Sequence, residues 1–180
     1  MSSSLVLFTA LVVLVGLERV AELRVSRRNA ERSLRRGGVE TGRGHYPVMV
    51  VLHTALLVGA VVEVWTLRPG FAPLLGLTML ALVLAAQALR WWCILTLGER
   101  WNTRVIVVPG LPLVRRGPYR WIPHPNYVAV VVEGFALPLV HSAWVTAIGF
   151  SVLNAALLTV RIRVEDRALS TASRPTRQAV

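Results

Sequence analysis

The chain has 180 residues, 54% of them hydrophobic and only 16% charged, with a mean hydropathy of +0.58. Soluble domains carry about 45–50% apolar and about 25% charged residues, so both departures point to a bilayer and away from a disordered, collagenous or disulfide-stapled secreted chain. The formal charge of +11 comes from 20 arginines with no lysine, and the single cysteine, Cys93, excludes an internal disulfide framework and a cysteine-cluster metal site.

A membrane-crossing helix takes about 20 mostly apolar residues. Stretches free of Asp, Glu, Lys and Arg run over 1–17, 44–62, 69–89 and 134–160. The first predicts helix 1 over about 4–23. It has no basic n-region and no small-residue cleavage site, so it reads as a retained span rather than a signal peptide. Residues 24–37 keep helical spacing as far as Gly37-Gly38, which carries helix 1 on beyond the membrane. Helices 2 and 3 are expected over about 47–66 and 72–92. Residues 105–114 form two short apolar runs around Pro109-Gly110, the sequence of a type II turn, and should lie against the membrane or roof a cavity. The last stretch is broken by Pro138, His141 and Ser142. With the apolar run 125–133 it divides into helices 4 and 5, over about 125–140 and 143–162. The fold class is therefore all-α integral membrane, five transmembrane helices in a single domain over 1–169, followed by a flexible tail over 170–180.

With five spans, loops 24–46 and 90–124, the adjoining helix ends and the C-terminus share 19 of the 20 arginines, and only Arg68 falls opposite. The positive-inside rule puts that end in the cytosol and the N-terminus outside. Arginines dealt out at helix ends do not form a nucleic-acid patch, so no nucleic acid is expected as a partner.

Ionisable residues inside spans mark functional candidates. Counted from the cytosolic end, Glu18 and His53 lie about six residues deep, Gln87 about a turn, Asn154 about seven and Glu133 about eight. At 1.5 Å per residue most of these share a depth of roughly 9–12 Å. Such a layer suggests a cavity open to the cytosol. Taken singly, Glu18, Arg19 and Glu22 also fit pairing at a helix end, His53 a satisfied core histidine, and Gln87 and Asn154 helix–helix hydrogen bonds. Glu133 is hardest to explain so, since an uncompensated carboxylate there costs about 2.5–3.5 kcal/mol. Glu63, nearer the outer end, can reach the interface.

Two segments carry chemistry. In Gly117-Pro118-Tyr119-Arg120-Trp121-Ile122-Pro123-His124-Pro125-Asn126-Tyr127, Pro125 biases His124 towards extended backbone and suits the first position of helix 4. Amides at that helix start favour an anionic group. In the second segment, Asn154, Arg161 and Glu165 form one stripe at about 100° per residue, leading from the cytosol to the polar layer, while Arg163 and Asp166 point elsewhere. An ordinary helix end with an Arg–Glu i,i+4 pair has the same spacing.

These residues resemble a known family. Gly-Pro-Tyr-Arg…His-Pro-x-Tyr before a span, then Arg161-x-Arg163-x-Glu165-Asp166-x-x-Leu169, is similar to the isoprenylcysteine carboxyl methyltransferases and related phospholipid and sterol-type membrane methyltransferases. Glu18-Arg19-x-x-Glu22-Leu23, Ser26-Arg27-Arg28-Asn29, Gly42-x-Gly44-His45-Tyr46-Pro47 and His53-Thr54 resemble a bacterial branch associated with type III polyketide synthases, whose members O-methylate long-chain alkylresorcinols or alkylpyrones.

The resemblance implies an S-adenosylmethionine-dependent O-methyltransferase of the bacterial cell membrane, with a cytosolic cofactor pocket roofed by the loop before helix 4. Glu165 and Arg161 would be catalytic. Tyr119, His124, Asn126, Tyr127 and Glu165 would bind the cofactor, and Glu133, Asn154, His53 and Tyr46 a lipid-like acceptor. No metal is implied. A type III polyketide synthase would be a functional partner. Two departures stand out: Pro123 occupies the place of the usual arginine, whose charge Arg115, Arg116 or Arg120 could supply, and Asp166 replaces a glutamate. Two alternatives share many of these features. One is a carboxyl methyltransferase of the prenylcysteine type, with Arg161 as a carboxylate clamp. The other is a non-enzymatic membrane subunit or small transporter.

Overall fold

The computed structural model describes residues 3–172. Five helices follow the predicted order: α1 (Ser3–Arg35), α2 (His45–Leu67), α3 (Pro73–Leu97), α4 (Pro125–Leu139) and α5 (Trp144–Ala172). Four of them, α1, α2, α3 and α5, are long and apolar enough to cross a membrane. Helix α4 has only 15 residues. That is about 22 Å of helix against about 30 Å of hydrocarbon, so the five expected spans resolve into four full-length helices and one short one.

Helix α1 continues past its apolar part, as its spacing predicts. It stops where Gly37 takes φ +79° and the Gly38 amide donates to the Ser33 carbonyl at 2.9 Å. This is the six-to-one bond of a Schellman ending, which glycine completes without strain. Helices α3 and α5 also outrun their predicted ends. Ser170 and Thr171 belong to α5 rather than to a tail, and residues 173–180 lie outside the described residues.

One short strand pair accompanies the helices of this all-α fold. Strands β1 (Val39–Thr41) and β2 (Val105–Val107) pair antiparallel, Glu40 opposite Ile106. The Pro109-Gly110 turn forms, with Gly110 at φ +79° and the Leu111 amide on the Val108 carbonyl at 3.4 Å. Its second arm does not pair with the first. Val105–Val107 finds its partner in the α1–α2 connection instead.

Apolar side chains fill the half of the bundle where α1 begins. Leu5, Phe8, Val12 and Val15 pack on Ala60, Val64, Val83, Ala136, Leu137, Val140 and Ala143. At that end His141, in the α4–α5 turn, lies 3.2 Å from the Ser4 hydroxyl and between the rings of Phe8 and Phe71. Glu63 lies at this end too. Its carboxylate accepts the backbone N–H groups of Val145 and Thr146 at 3.0 and 2.7 Å, capping the first turn of α5. Large apolar residues such as Leu7, Leu14, Val51, Leu74, Leu77, Leu95 and Val145 face outward, as a lipid-exposed surface requires. Helices α4 and α5 touch closely at Gly134, where an added Cβ would fall 2.0 Å from the Phe150 ring.

Candidate active site

At the arginine-rich end, the short α4 leaves a recess between the longer α3 and α5. The α3–α4 connection folds over it, held down by the extension of α1 beyond its apolar part. Ser26 and Asn29 lie one turn apart on the buried face of α1. The Ser26 hydroxyl accepts the Thr103 amide at 2.9 Å, and the Asn29 amide donates to the carbonyls of Gly98 and Trp101 at 3.1 and 2.9 Å. Exposed Arg32 and Arg36 both reach Glu99.

The resulting cleft is lined by Leu97, Trp101, Asn102, Arg104, Val105, Tyr119, His124, Asn126, Tyr127, Arg161 and Glu165. Six of the predicted site residues therefore come together: Tyr119, His124, Asn126, Tyr127, Arg161 and Glu165. One hydrogen-bonded chain bridges the sequence separation of three of them, Tyr127, Arg161 and Glu165. Arg161, 6% exposed, donates through Nε to the Tyr127 hydroxyl at 2.8 Å, and that hydroxyl donates to Glu165 Oε2. Other Arg161 nitrogens meet the Thr103 carbonyl and the Met49 sulfur. Arg161 and Glu165 share the predicted face, yet the link between them is Tyr127 and not a direct pair.

His124 stacks on Tyr127 with ring centroids 5.3 Å apart. Its Nε2 lies 3.0 Å from Asp166 Oδ1 and its Nδ1 3.8 Å from Glu165 Oε2. Asp166, expected to point elsewhere, thus bends back to His124 from a largely exposed position beside the cleft. Tyr119 is hydrogen-bonded to Cys93, and burial, with Cys93 beside it, pushes its hydroxyl well above the ordinary tyrosine range. It remains a neutral donor.

The four residues expected on the acceptor side do not line the cleft. Tyr46 sits just outside it, its ring 5.1 Å from the guanidinium of the lining residue Arg104. His53 bonds the Met49 carbonyl of its own helix at 2.9 Å and meets Phe150 edge-on. Asn154 is 2% exposed, and its Oδ1 has no protein partner. Glu133 is held in an ion cluster one level deeper. Arg90 reaches it at 2.5 Å and Arg19 at 3.3 Å; Arg19 also bonds Glu22 at 2.8 Å and Gln87 at 2.8 Å, and Gln87 donates to Glu18. The polar layer thus exists for Glu18, Gln87 and Glu133, with its buried carboxylates paired to arginines. Arg115, Arg116 and Arg120, the expected substitutes for the missing family arginine, are not among the lining residues.

Sequence reasoning missed Leu97, Trp101, Asn102, Arg104 and Val105 in the lining. Asn102 is the most informative of them. Both polar atoms of its side chain, and Oδ1 of Asn126, are buried without a protein partner. A buried polar atom left unmatched costs about 1–3 kcal/mol, so this pair marks a place where a polar ligand or water completes the bonding.

No solved structure matches the chain. Two bacterial proteins are similar over most of it. The Uncharacterized protein YpbQ of Bacillus subtilis (strain 168) is 39% identical over 164 residues, 91% of this chain and 96% of that protein. An Uncharacterized protein of Haemophilus influenzae (strain ATCC 51907 / DSM 11121 / KW20 / Rd) is 25% identical over 153 residues, 84% and 88% of the two chains. The family model of the isoprenylcysteine carboxyl methyltransferases matches residues 79–171, which contain α4, nearly all of α5 and all eleven residues that line the cleft. The chain belongs to the isoprenylcysteine carboxyl methyltransferase (ICMT) family of membrane methyltransferases.

Proposed function

We propose that this protein is an S-adenosylmethionine-dependent O-methyltransferase acting on a membrane-held amphipathic lipid, a long-chain alkylresorcinol or alkylpyrone. The observation that carries the cofactor assignment is the pair of unsatisfied amides, Asn102 and Asn126, in one cleft with Glu165 and Arg161. These residues fit the cofactor's chemistry. The amides offer donors and acceptors to its polar groups, Glu165 a carboxylate to its ammonium, and Leu97, Trp101 and Tyr119 apolar surface to its nucleoside. The start of α4, where Asn126 and Tyr127 lie, favours the cofactor's carboxylate.

When bound, the cofactor supplies an electrophilic methyl group on a sulfonium. The chain's own residues hold and align. Arg161, fixed by Tyr127 and Thr103, orients the acceptor oxygen. Glu165, oriented by the Tyr127 hydroxyl, holds the cofactor's amino end or takes the proton that a phenol, titrating near 10, must lose. Alignment of donor and acceptor can account for about 7–11 kcal/mol of barrier lowering in favourable cases. His53, Asn154, Glu133 and Tyr46, which lie outside the cleft lining, would act on the acceptor side. The C-terminus and the cleft face the cytosol, the N-terminus lies outside, and a type III polyketide synthase supplies the acceptor.

A buried guanidinium at the cleft also suits a carboxylate, which supports a carboxyl methyltransferase of the prenylcysteine type as the second reading. Purified protein assayed with labelled cofactor against an alkylresorcinol and a prenylated cysteine decides between them. Transfer to the resorcinol is expected. Transfer only to the prenylcysteine selects the second reading, and failure to bind S-adenosylhomocysteine returns the chain to the transporter or subunit class.

A further inference from the structure

We infer that the segment 111–122 is a membrane-surface anchor for anionic lipid headgroups, and that its docking sets the wall of the cleft. Three observations meet there. Leu111, Leu113, Trp121 and Ile122 are exposed at 43%, 50%, 68% and 40%. Arg115, Arg116 and Arg120, interleaved with them, are exposed too. Among the described residues no carboxylate lies within ion-pair distance of these three arginines. Residues 100–132 contain no Asp or Glu at all, so the segment lacks an internal counter-charge.

The apolar side chains are continuous with the lipid-facing side of the bundle. Trp121 meets Trp92 of α3 with ring centroids 6.0 Å apart, and Trp92 and Leu95 beside it are 47% and 74% exposed. The Arg120 guanidinium lies 6.0 Å from the Trp121 ring centre. Tryptophan and arginine together at the end of membrane helices match the depth of headgroups: the ring takes the apolar boundary and the cation a phosphate. The partner is therefore an anionic bilayer surface, and not an acidic protein, because the cations are set among side chains that need hydrocarbon.

The link to the cleft is covalent. Arg120-Trp121-Ile122 lie between Tyr119 and His124, both of which line it. The segment is otherwise held by few bonds, notably Arg100 to the Pro112 carbonyl at 2.7 Å and Arg116 to the Thr96 carbonyl at 3.5 Å. Seating residues 120–122 in the headgroup layer orders two cleft residues, so ligand affinity follows the surface charge of the leaflet. This rests on the methyltransferase reading for its ligand, but the docking itself can be measured without one.

The test uses full-length protein in nanodiscs of pure phosphatidylcholine or of phosphatidylcholine with phosphatidylglycerol. Brominated phosphatidylglycerol should quench a fluorescence component that Trp121→Phe removes. S-adenosylhomocysteine should bind several-fold tighter in the anionic discs, with the difference lost in high salt and in the triple variant Arg115→Gln, Arg116→Gln, Arg120→Gln. No Trp121-dependent quenching, or equal affinity in both discs, overturns the inference. So does a triple variant that weakens binding equally in both discs, since those arginines would then act on the ligand. Absence of binding in every disc counts against the methyltransferase reading, and quenching still decides the docking.

Discussion

Replacing Tyr127 by phenylalanine deletes one oxygen that joins a buried arginine to a carboxylate. The hydroxyl accepts from Arg161 Nε at 2.8 Å and donates to Glu165 Oε2. A hydrogen bond to a charged group is worth about 1.5–3 kcal/mol, so two such bonds put the local loss at roughly 3 kcal/mol even at the low end. The helices need not unfold, because Arg161 keeps Thr103 and Met49 as partners. What is lost is the single arrangement of Arg161 and Glu165. A ligand that needs this arrangement must restore it, which weakens apparent affinity by the fraction of time it is populated. Tyr127→Phe should therefore weaken S-adenosylhomocysteine binding by about ten- to a hundredfold, since about 1.4 kcal/mol is a factor of ten. Calorimetry on detergent-purified protein reads the affinity, and thermal unfolding checks the fold. Affinity within twofold of the wild type, with the fold intact, would refute the proposal that this chain of bonds organises the ligand site.

Glu165→Gln should abolish most methyl transfer to an alkylresorcinol, whereas Asp166→Asn should cost only a few-fold, because Asp166 is 60% exposed and an amide still accepts from His124; equal losses from the two would contradict the geometry. Arg90→Gln leaves Glu133 short of its nearest cation, both side chains being 7% exposed, and should lower stability by about 3–5 kcal/mol in detergent unfolding, with Arg90→Gln/Glu133→Gln recovering part of it. Reporter fusions after Arg43 and after Val180 should both report the cytosol, and a periplasmic signal at either would invert the proposed orientation.

The helices and the chemistry-bearing helix ends were readable because each leaves a local mark. Apolar length gives α1, α2, α3 and α5, paired glycines give the stop of α1, and Pro125 gives the start of α4. The helical stripe of Arg161 and Glu165 needed only a period. What escaped depends on meetings distant in sequence. Arg90 looks like a charge at a membrane boundary, but α3 continues to Leu97 and Arg90 is buried against Glu133, 43 residues away. Strand β2 has three residues, too few for a pattern, and its partner lies in the α1–α2 connection. Asp166 was assigned by helix angle alone, which ignores that a carboxylate beside the stripe can bend to His124. Asn102 carries no motif; its unmet hydrogen bonds become visible only once the connection folds over the cleft.

The shortness of α4 has a consequence for which molecules can be methylated. Its Leu139 end is fixed level with the start of α1, through the turn in which His141 meets Ser4, so the deficit accumulates at Pro125. A helix of about 22 Å in hydrocarbon of about 30 Å leaves that end roughly 8 Å beneath the leaflet boundary. The cleft at Pro125 is then a step cut into the membrane rather than a platform above it. Under the proposed function, an amphiphile whose polar head floats at that level would reach the cleft without leaving the bilayer, whatever the length of its tail. Selection by depth of flotation, and not by chain length, would let one enzyme serve a homologous series of lipids while sparing those whose heads ride higher in the water.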